Sequence, residues 1–452
     1  MTMKPAQRPV EADPWVDTER LPGLTPRAAT RLRQCLEHPD APRYTGRSGH
    51  RLTAQAVRQL HADKAAMQQP DPRWMPAFLA RCRQQVPHYR HYPWHNDVSA
   101  LPTTSRHDLS RNLPAFVPDD IDPAQLIAYE TSGTTGHPLT VPSLPLVAAR
   151  YHCFHERILS WHGIDLQSLS GNTGVMLVGD QQRCFTYASV LPYWDDKVLL
   201  KTNLNPADWP EPDARGRYID ACKPLLITGD PRSLSTLLSL AFSHRPVAIL
   251  STSMTLLQGL KDRLVHRFRC PVINLYSMNE AGPIAADDGS GNGLRLVQPT
   301  LQVEILDRQG TPVTTPAERG EITLTGGFNP CLPLLRYRTG DYACLIEDTQ
   351  GRRYLQQLDG RPPVRYKTAN GWLNNVDITH ILQPFGLAQY QLHQDQRGGL
   401  TLGVLGNANH AALERALGNA FGAGFPIRIN HLQTKADKLI QYTSHYPGAH
   451  NG

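Results

Sequence analysis

The sequence predicts an α/β protein. A large N-terminal domain would hold mostly parallel α/β sheets and a β-rich subdomain, and a small C-terminal α+β domain would follow. Three observations carry this reading. Short apolar runs alternate with helical stretches between Lys223 and Ser277; alternating apolar and polar residues flank glycine turns beyond Gly291; and a Gly-Arg-Pro-Pro segment precedes a shorter mixed tail.

Residues 1–70 are polar, proline-containing and patchily helical, as in "TPRAATRLRQCLEH", and read as an N-terminal helical extension. "PRWMPAFLARCRQQVPHYR" is a further helix ended by Pro87. "KPLLITGD" reads as a buried strand, and "DPRSLSTLLSLAFSH" opens a helix with Asp230 as N-cap and Pro231 at its first position. "RPVAILSTS", "MTLLQGLKDRLVHRF" and "CPVINLYS" continue as strand, helix and strand, a succession that requires a mostly parallel sheet. "LQVEILDRQGTPVT" and "RGEITLTGG" alternate with a period of two, which predicts antiparallel strands. A linker is expected over Gln357 to Pro363, dividing a large domain (71–361) from a small one (362–452). No internal repeat is visible.

The 452 residues are 40% hydrophobic and 19% charged, a globular balance. With 46 basic and 40 acidic residues the formal charge is +6, scattered and without a dense Lys/Arg run. Such a mild excess suits small anionic ligands rather than nucleic acid. None of the eight cysteines forms a CxxC pair. Cys153 lies between His152 and His155, a trio expected to pack on a helix rather than hold zinc. "MTMKPAQRPVEADPWVD" lacks the apolar core of a signal peptide, and no run approaches the roughly 18 apolar residues of a membrane span, so a soluble cytoplasmic protein is expected.

Four stretches carry candidate chemistry. "YETSGTTGHPLTVPS" (Tyr129 to Ser143) crowds small hydroxyls and glycines into a loop, either a plain turn or a cradle for phosphate oxygens. Its glycine spacing differs from the P-loop pattern, and no lysine follows. "NLYSMNEAG" (Asn274 to Gly282) begins at the end of a parallel strand, where open α/β sheets bind ligands. "LLRYRTGDYACL" places Asp341 after a Thr-Gly turn, and "TKADKLIQYTS" places Lys438 before a short apolar run. Singly, each is compatible with an ordinary turn, packed ring or solvated charge.

In their order and intervals the four stretches resemble the adenylate-forming (AMP-binding) superfamily of acyl ligases, most nearly its phenylacetate–CoA ligase-like branch. "LPTTSRHDLSRNLPAF" and "LLITGDPRSLSTLL" add to the likeness, which runs from about Pro87 to Lys438. The resemblance implies that Thr131, Ser132, Thr134, Thr135 and the amides around Gly133 and Gly136 hold the phosphates of ATP. It implies that Tyr276 stacks on adenine, that Glu280 coordinates Mg²⁺, and that Asp341 accepts from both ribose hydroxyls. Arg361 would reach ribose or phosphate, and Lys438 would neutralise charge developing at the α-phosphate. The implied reaction is attack of a small carboxylic acid, aromatic by the branch's habit, on ATP. Pyrophosphate would leave, and the acyl-adenylate would pass to a thiol of coenzyme A or of a carrier protein after rotation of the C-terminal domain.

Four residues or segments depart from the family pattern. His137 stands where the loop's lysine is usual, so a fixed cation becomes a titratable one. Asn279 replaces the threonine before Glu280, and is expected to keep a hydrogen bond with altered geometry. Pro362-Pro363 replaces an acidic hinge, and "ILSTSMTLL" lacks the usual adenine loop. Two alternatives therefore stay open beside the thiol ligase: transfer of the acyl group to an amine, and a nucleotide-binding scaffold without turnover.

Overall fold

The computed structural model describes residues 24–46, 52–68, 71, 73–95, 97–131, 139–315, 317–360, 364–406, 408–432 and 440–449. Helices α1 (Pro26–Leu36), α2 (Ala54–Gln68) and α3 (Trp74–Gln85) come first. Thr25 caps α1 by accepting from the Ala28 amide, with Pro26 inside the first turn. Strand β1 (Thr104–Ser105) runs into α4 (Arg106–Arg111) through a capping box formed by Ser105 and Asp108. An antiparallel hairpin, β2 (Ile127–Thr131) with β3 (Leu139–Ser143), then leads to α5 (Pro145–Ser160).

Next come β4 (Thr173–Gly179), β5 (Tyr187–Leu191), β6 (Lys197–Asn203), α6 (Ala214–Cys222), β7 (Leu226–Gly229), α7 (Pro231–Leu238), β8 (Ala248–Ser251), α8 (Gln258–Phe268) and β9 (Val272–Met278). Strands β6, β4, β7, β8 and β9 lie side by side and parallel, with β5 antiparallel at the edge. The expected βαβαβ succession is thus present. Asp230 caps α7 by accepting from the Ser233 amide at 2.7 Å. The pleat sends alternate residues to two cores. Met176, Ile227, Ile249 and Val272 meet α1, α6, α7 and α8, whereas Val175, Leu226, Leu250 and Ile273 meet α2 and α5. Covering both faces with helices explains why these strands read as continuous apolar runs.

The sheet continues antiparallel through β10 (Gly282–Asp287), β11 (Leu294–Leu296), β12 (Leu301–Leu306), β13 (Arg319–Gly326), β14 (Leu334–Glu347) and β15 (Arg353–Asp359). The expected antiparallel strands are β12 and β13. Two expectations are corrected. The Thr-Gly turn expected before Asp341 is a bulge inside the 14-residue β14, in which Gly340 is exposed and takes φ +78°. Pairing with β13 resumes on either side of this bulge, at Arg338 and at Tyr342, and β15 joins from Tyr342 onward. The segment expected as a linker from Gln357 is strand at its start, because β15 runs through Asp359; Arg361, Pro362 and Pro363 lie outside the described residues.

The remaining elements are β16 (Arg365–Thr368), β17 (Gly371–Asn374), α9 (Asn375–Leu382), β18 (Gln389–Gln394), β19 (Leu400–Leu405), α10 (His410–Phe421), β20 (Ile427–His431) and β21 (Tyr442–Ser444). Strands β20, β19, β18 and β21 form a separate sheet over their own core, which includes Tyr366, Leu392, Leu402, Leu417 and Phe421. Leu257, just before α8, is buried in that core too. A Cβ on Gly259 would lie 2.5 Å from the Pro384 carbonyl oxygen, so this contact tolerates only glycine without a shift.

Candidate active site

The carboxyl end of β9 assembles the site. Tyr276 is the fifth residue of that strand, and Asn279 and Glu280 form the turn into β10. Gly282 opens β10 at φ +71°, with the Phe328 ring where a side chain would go. The turn therefore closes only on glycine, and it directs Glu280 inward while Asn279 stays exposed.

Glu280 is buried, with a side chain 4% exposed. Its Oε1 lies 3.5 Å from Arg106 Nη1 and 3.5 Å from the Tyr337 hydroxyl. Asp341 sits beside it on β14 and accepts a 2.6 Å hydrogen bond from the Tyr276 hydroxyl at Oδ2. The Thr339 hydroxyl accepts from the Asp341 amide at 3.0 Å and fixes the kink locally. Burial pushes the Asp341 carboxyl up to about 6; the Tyr276 bond opposes this, and Asp359, Glu280 and Glu321 add to it. Burial, and then the Asp341 charge, hold the Tyr276 phenol well above its usual range. The structure thus brings together Tyr276, Glu280 and Asp341, which are 65 residues apart at the extremes.

Arg106 was given no role from sequence. It reaches the site because β1 pairs parallel to β14, setting Thr104 opposite Tyr337 and Ser105 opposite Arg338. The Thr104 hydroxyl donates to the Leu335 carbonyl at 3.0 Å, and the capping box then starts α4 with Arg106 as its first residue. The signal was the family-like stretch "LPTTSRHDLSRNLPAF" itself, in which Arg106 is the basic residue after the hydroxyl run.

The hydroxyl-rich loop is held at its base by the β2–β3 hairpin, whose last pair is Thr131 with Leu139. Tyr151 connects this hairpin to the site. Its hydroxyl donates to the Met278 carbonyl at 3.2 Å, and after burial the charges of Glu280 and then Tyr129 raise its pKa. Thr131 ends β2 by its backbone, whereas Ser132, Gly133, Thr134, Thr135, Gly136 and His137 lie outside the described residues, as do Arg361 and Lys438. A Cβ on Gly360, next to Arg361, would stand 3.5 Å from Asp341 Oδ1, so the chain passes Asp341 immediately before Arg361.

His152, Cys153 and His155 are all buried on α5. Among the described residues the Nδ1 of His155 meets no hydrogen-bond partner, and burial pushes the His155 pKa down to about 4. No group of three or more His, Cys, Asp or Glu able to cage a metal occurs among the described residues.

No protein-family model matches the chain. Among solved structures it is similar to 2-hydroxyisobutyryl-CoA ligase in the postadenylation state with 2-HIB-AMP. That likeness has a TM-score of 0.58 and 16% identity and covers 86% of this chain and 88% of that one. The same ligase with R3-HIB-AMP gives a TM-score of 0.57, also at 16% identity, 86% and 88%. The chain has the fold of the adenylate-forming acyl ligases. In that fold the small domain described above is the C-terminal one. The chain is also similar to Protein CapK of Staphylococcus aureus, at 21% identity over 255 residues, 54% of this chain. That match spans about half the length of CapK, 53%. No helix among the described residues is long and apolar enough to cross a membrane.

Proposed function

We propose that the protein activates a small carboxylic acid with ATP, releasing pyrophosphate, and then transfers the acyl group to a thiol such as that of coenzyme A. The observation that carries this reading is the convergence of Tyr276, Glu280, Asp341 and Arg106 at the carboxyl end of β9, within an adenylate-forming ligase fold. The likeness to a ligase solved with an acyl-AMP supports it.

Each residue has a task in that reaction. Asp341 accepts from the ribose hydroxyls, which requires the Tyr276 hydroxyl to share or release Oδ2. The freed Tyr276 ring then offers its face to adenine. Arg106 supplies a permanent positive charge beside Glu280, where the loop itself carries only His137. Thr131, Ser132, Thr134 and Thr135, with the amides of Gly133 and Gly136, hold phosphate oxygens. Asn279 borders the nucleotide, Arg361 reaches ribose or phosphate, and Lys438 meets charge growing at the α-phosphorus. A magnesium ion fits the donor set: this cation is commonly held by one or two carboxylates together with substrate phosphates, and Glu280 supplies the carboxylate. When bound it would neutralise phosphate charge.

The acid is proposed to be aromatic, on the family likeness and on the rings of Tyr151, Phe154 and Phe328, which pack together next to Met278. The test is incubation of the protein with MgATP and a panel of aliphatic and aromatic acids, reading acyl-AMP by mass spectrometry, followed by thiol or amine acceptors. Acyl-AMP with an aromatic acid and its discharge to a thiol are expected. Discharge only to amines would replace the acceptor, and nucleotide binding without acyl-AMP for any acid would overturn the reading.

A further inference from the structure

Cys35 lies in the last turn of α1, and Cys222 is the last residue of α6. The two residues are 187 positions apart in the chain, yet their Sγ atoms stand 3.9 Å from each other, with Cys222 donating to Cys35. Both side chains are buried, at 5% and 8% exposure. Groups other than the thiols fix the two helix ends together. Tyr218, one turn before Cys222, donates its hydroxyl to the Cys35 carbonyl at 3.0 Å. The Tyr44 hydroxyl joins it at 2.8 Å, and Thr173 Oγ1 flanks Cys35 Sγ at 3.9 Å.

We propose that Cys35 and Cys222 are a redox pair that closes to a disulfide when the protein meets hydrogen peroxide, fastening α1 to α6. The sulfurs must approach from 3.9 Å to about 2.05 Å, a movement of roughly 2 Å at two helix ends. Cys35 Sγ, as thiolate, attacks one peroxide oxygen. The O–O bond breaks, hydroxide leaves and takes up the thiol proton as water, and a sulfenic acid remains on Cys35. The Cys222 sulfur then attacks the Cys35 sulfur. The S–S bond forms, the S–O bond breaks, and a second water leaves with the Cys222 proton. Two thiols are oxidised by two electrons in total and one peroxide is reduced to two waters.

The order of attack follows from the hydrogen bond. Accepting the Cys222 S–H favours the Cys35 thiolate and lowers that thiol's pKa despite burial, with Thr173 adding to the effect. Cys82, Cys153 and Cys270 are instead pushed up to about 12 by burial, so thiolate is scarce there. Peroxide is the fitting oxidant for so buried a pair because it is small.

The test is treatment of the full chain with hydrogen peroxide, quenching, and peptide mapping without reductant. The expected result is a peptide pair linked through Cys35 and Cys222, with loss of two of the eight thiols and their return with dithiothreitol. Cys222→Ser should stop at a sulfenic acid on Cys35 that dimedone traps when the quenched protein is unfolded in its presence, and Cys35→Ser should give neither product. Absence of the linked pair in the unsubstituted protein, or earlier oxidation of other cysteines, would overturn the proposal. The mapping needs no variant, so a folding defect in either substitution leaves it decisive.

Discussion

At the scale of single residues, the site stores electrostatic tension. Burial holds the Asp341 carboxyl near about 6, above its ordinary value of 3.8, so the fold favours the neutral acid. Stability therefore falls as pH rises from about 4 to about 6, and the loss persists above that. Asp341→Asn should stabilise the protein by up to about 3 kcal/mol at pH 8 and by almost nothing near pH 3, where both side chains are neutral. Urea melts at the two pH values check this, and the variant's ATP-dependent activity should fall although its stability rises. A second prediction concerns Arg106. Arg106→Ala leaves the buried Glu280 carboxylate without that guanidinium and should lower adenylation about 10²–10³-fold, with Arg106→Lys recovering part of it. Equal rates in all three proteins would remove Arg106 from the machinery. Tyr276, Glu280 and Asp341 were named through the resemblance of their stretches, in order and interval, to the adenylate-forming ligases, since singly each stretch reads as an ordinary turn or packed ring. Arg106 was given no role, since its position depends on β1 pairing with a strand more than 200 residues downstream, and the family-like stretch around it does not single it out.

At the scale of elements, the parallel sheet was legible for a physical reason: strands buried on both faces are short apolar runs, and each is followed by a capped helix. The kinked β14 was not. Thr-Gly-Asp carries turn chemistry, yet it sits as a bulge between two paired stretches of β14, with Gly340 absorbing the kink at φ +78°. The β9–β10 turn makes a testable case of backbone demand. Gly282→Ala imposes a side chain at φ +71° and brings it to 2.6 Å from the Phe328 ring. It should cost about 1–3 kcal/mol and displace Glu280, lowering activity beyond the stability loss. Adding Phe328→Ala should relieve the clash but not the backbone strain. Melting temperatures and activity of the two proteins separate these effects, and full recovery by the second change would rule out a backbone contribution.

At the scale of the whole molecule, the C-terminal core meets the main sheet's helices where Leu257 enters the C-terminal cluster and Gly259 lies against Pro384 and Phe385. The packing of α1 and α2 against the main sheet was not legible in the sequence, because polar helices do not name their partner. If the C-terminal part presents Lys438 only during adenylation, Lys438→Ala should stop acyl-AMP formation and spare discharge of supplied acyl-AMP to the acceptor, because the charge it meets is absent from the second step. Separate single-turnover rates read this directly, and equal damage to both steps would contradict the division of labour. The most direct measurement of the central claim is carboxylate-dependent exchange of labelled pyrophosphate into ATP, in the unsubstituted protein and in Glu280→Gln. Exchange that requires both magnesium and an acid, and that disappears in Glu280→Gln while its melting temperature holds, is the result expected; exchange of equal rate and equal magnesium dependence in the two proteins would contradict the account.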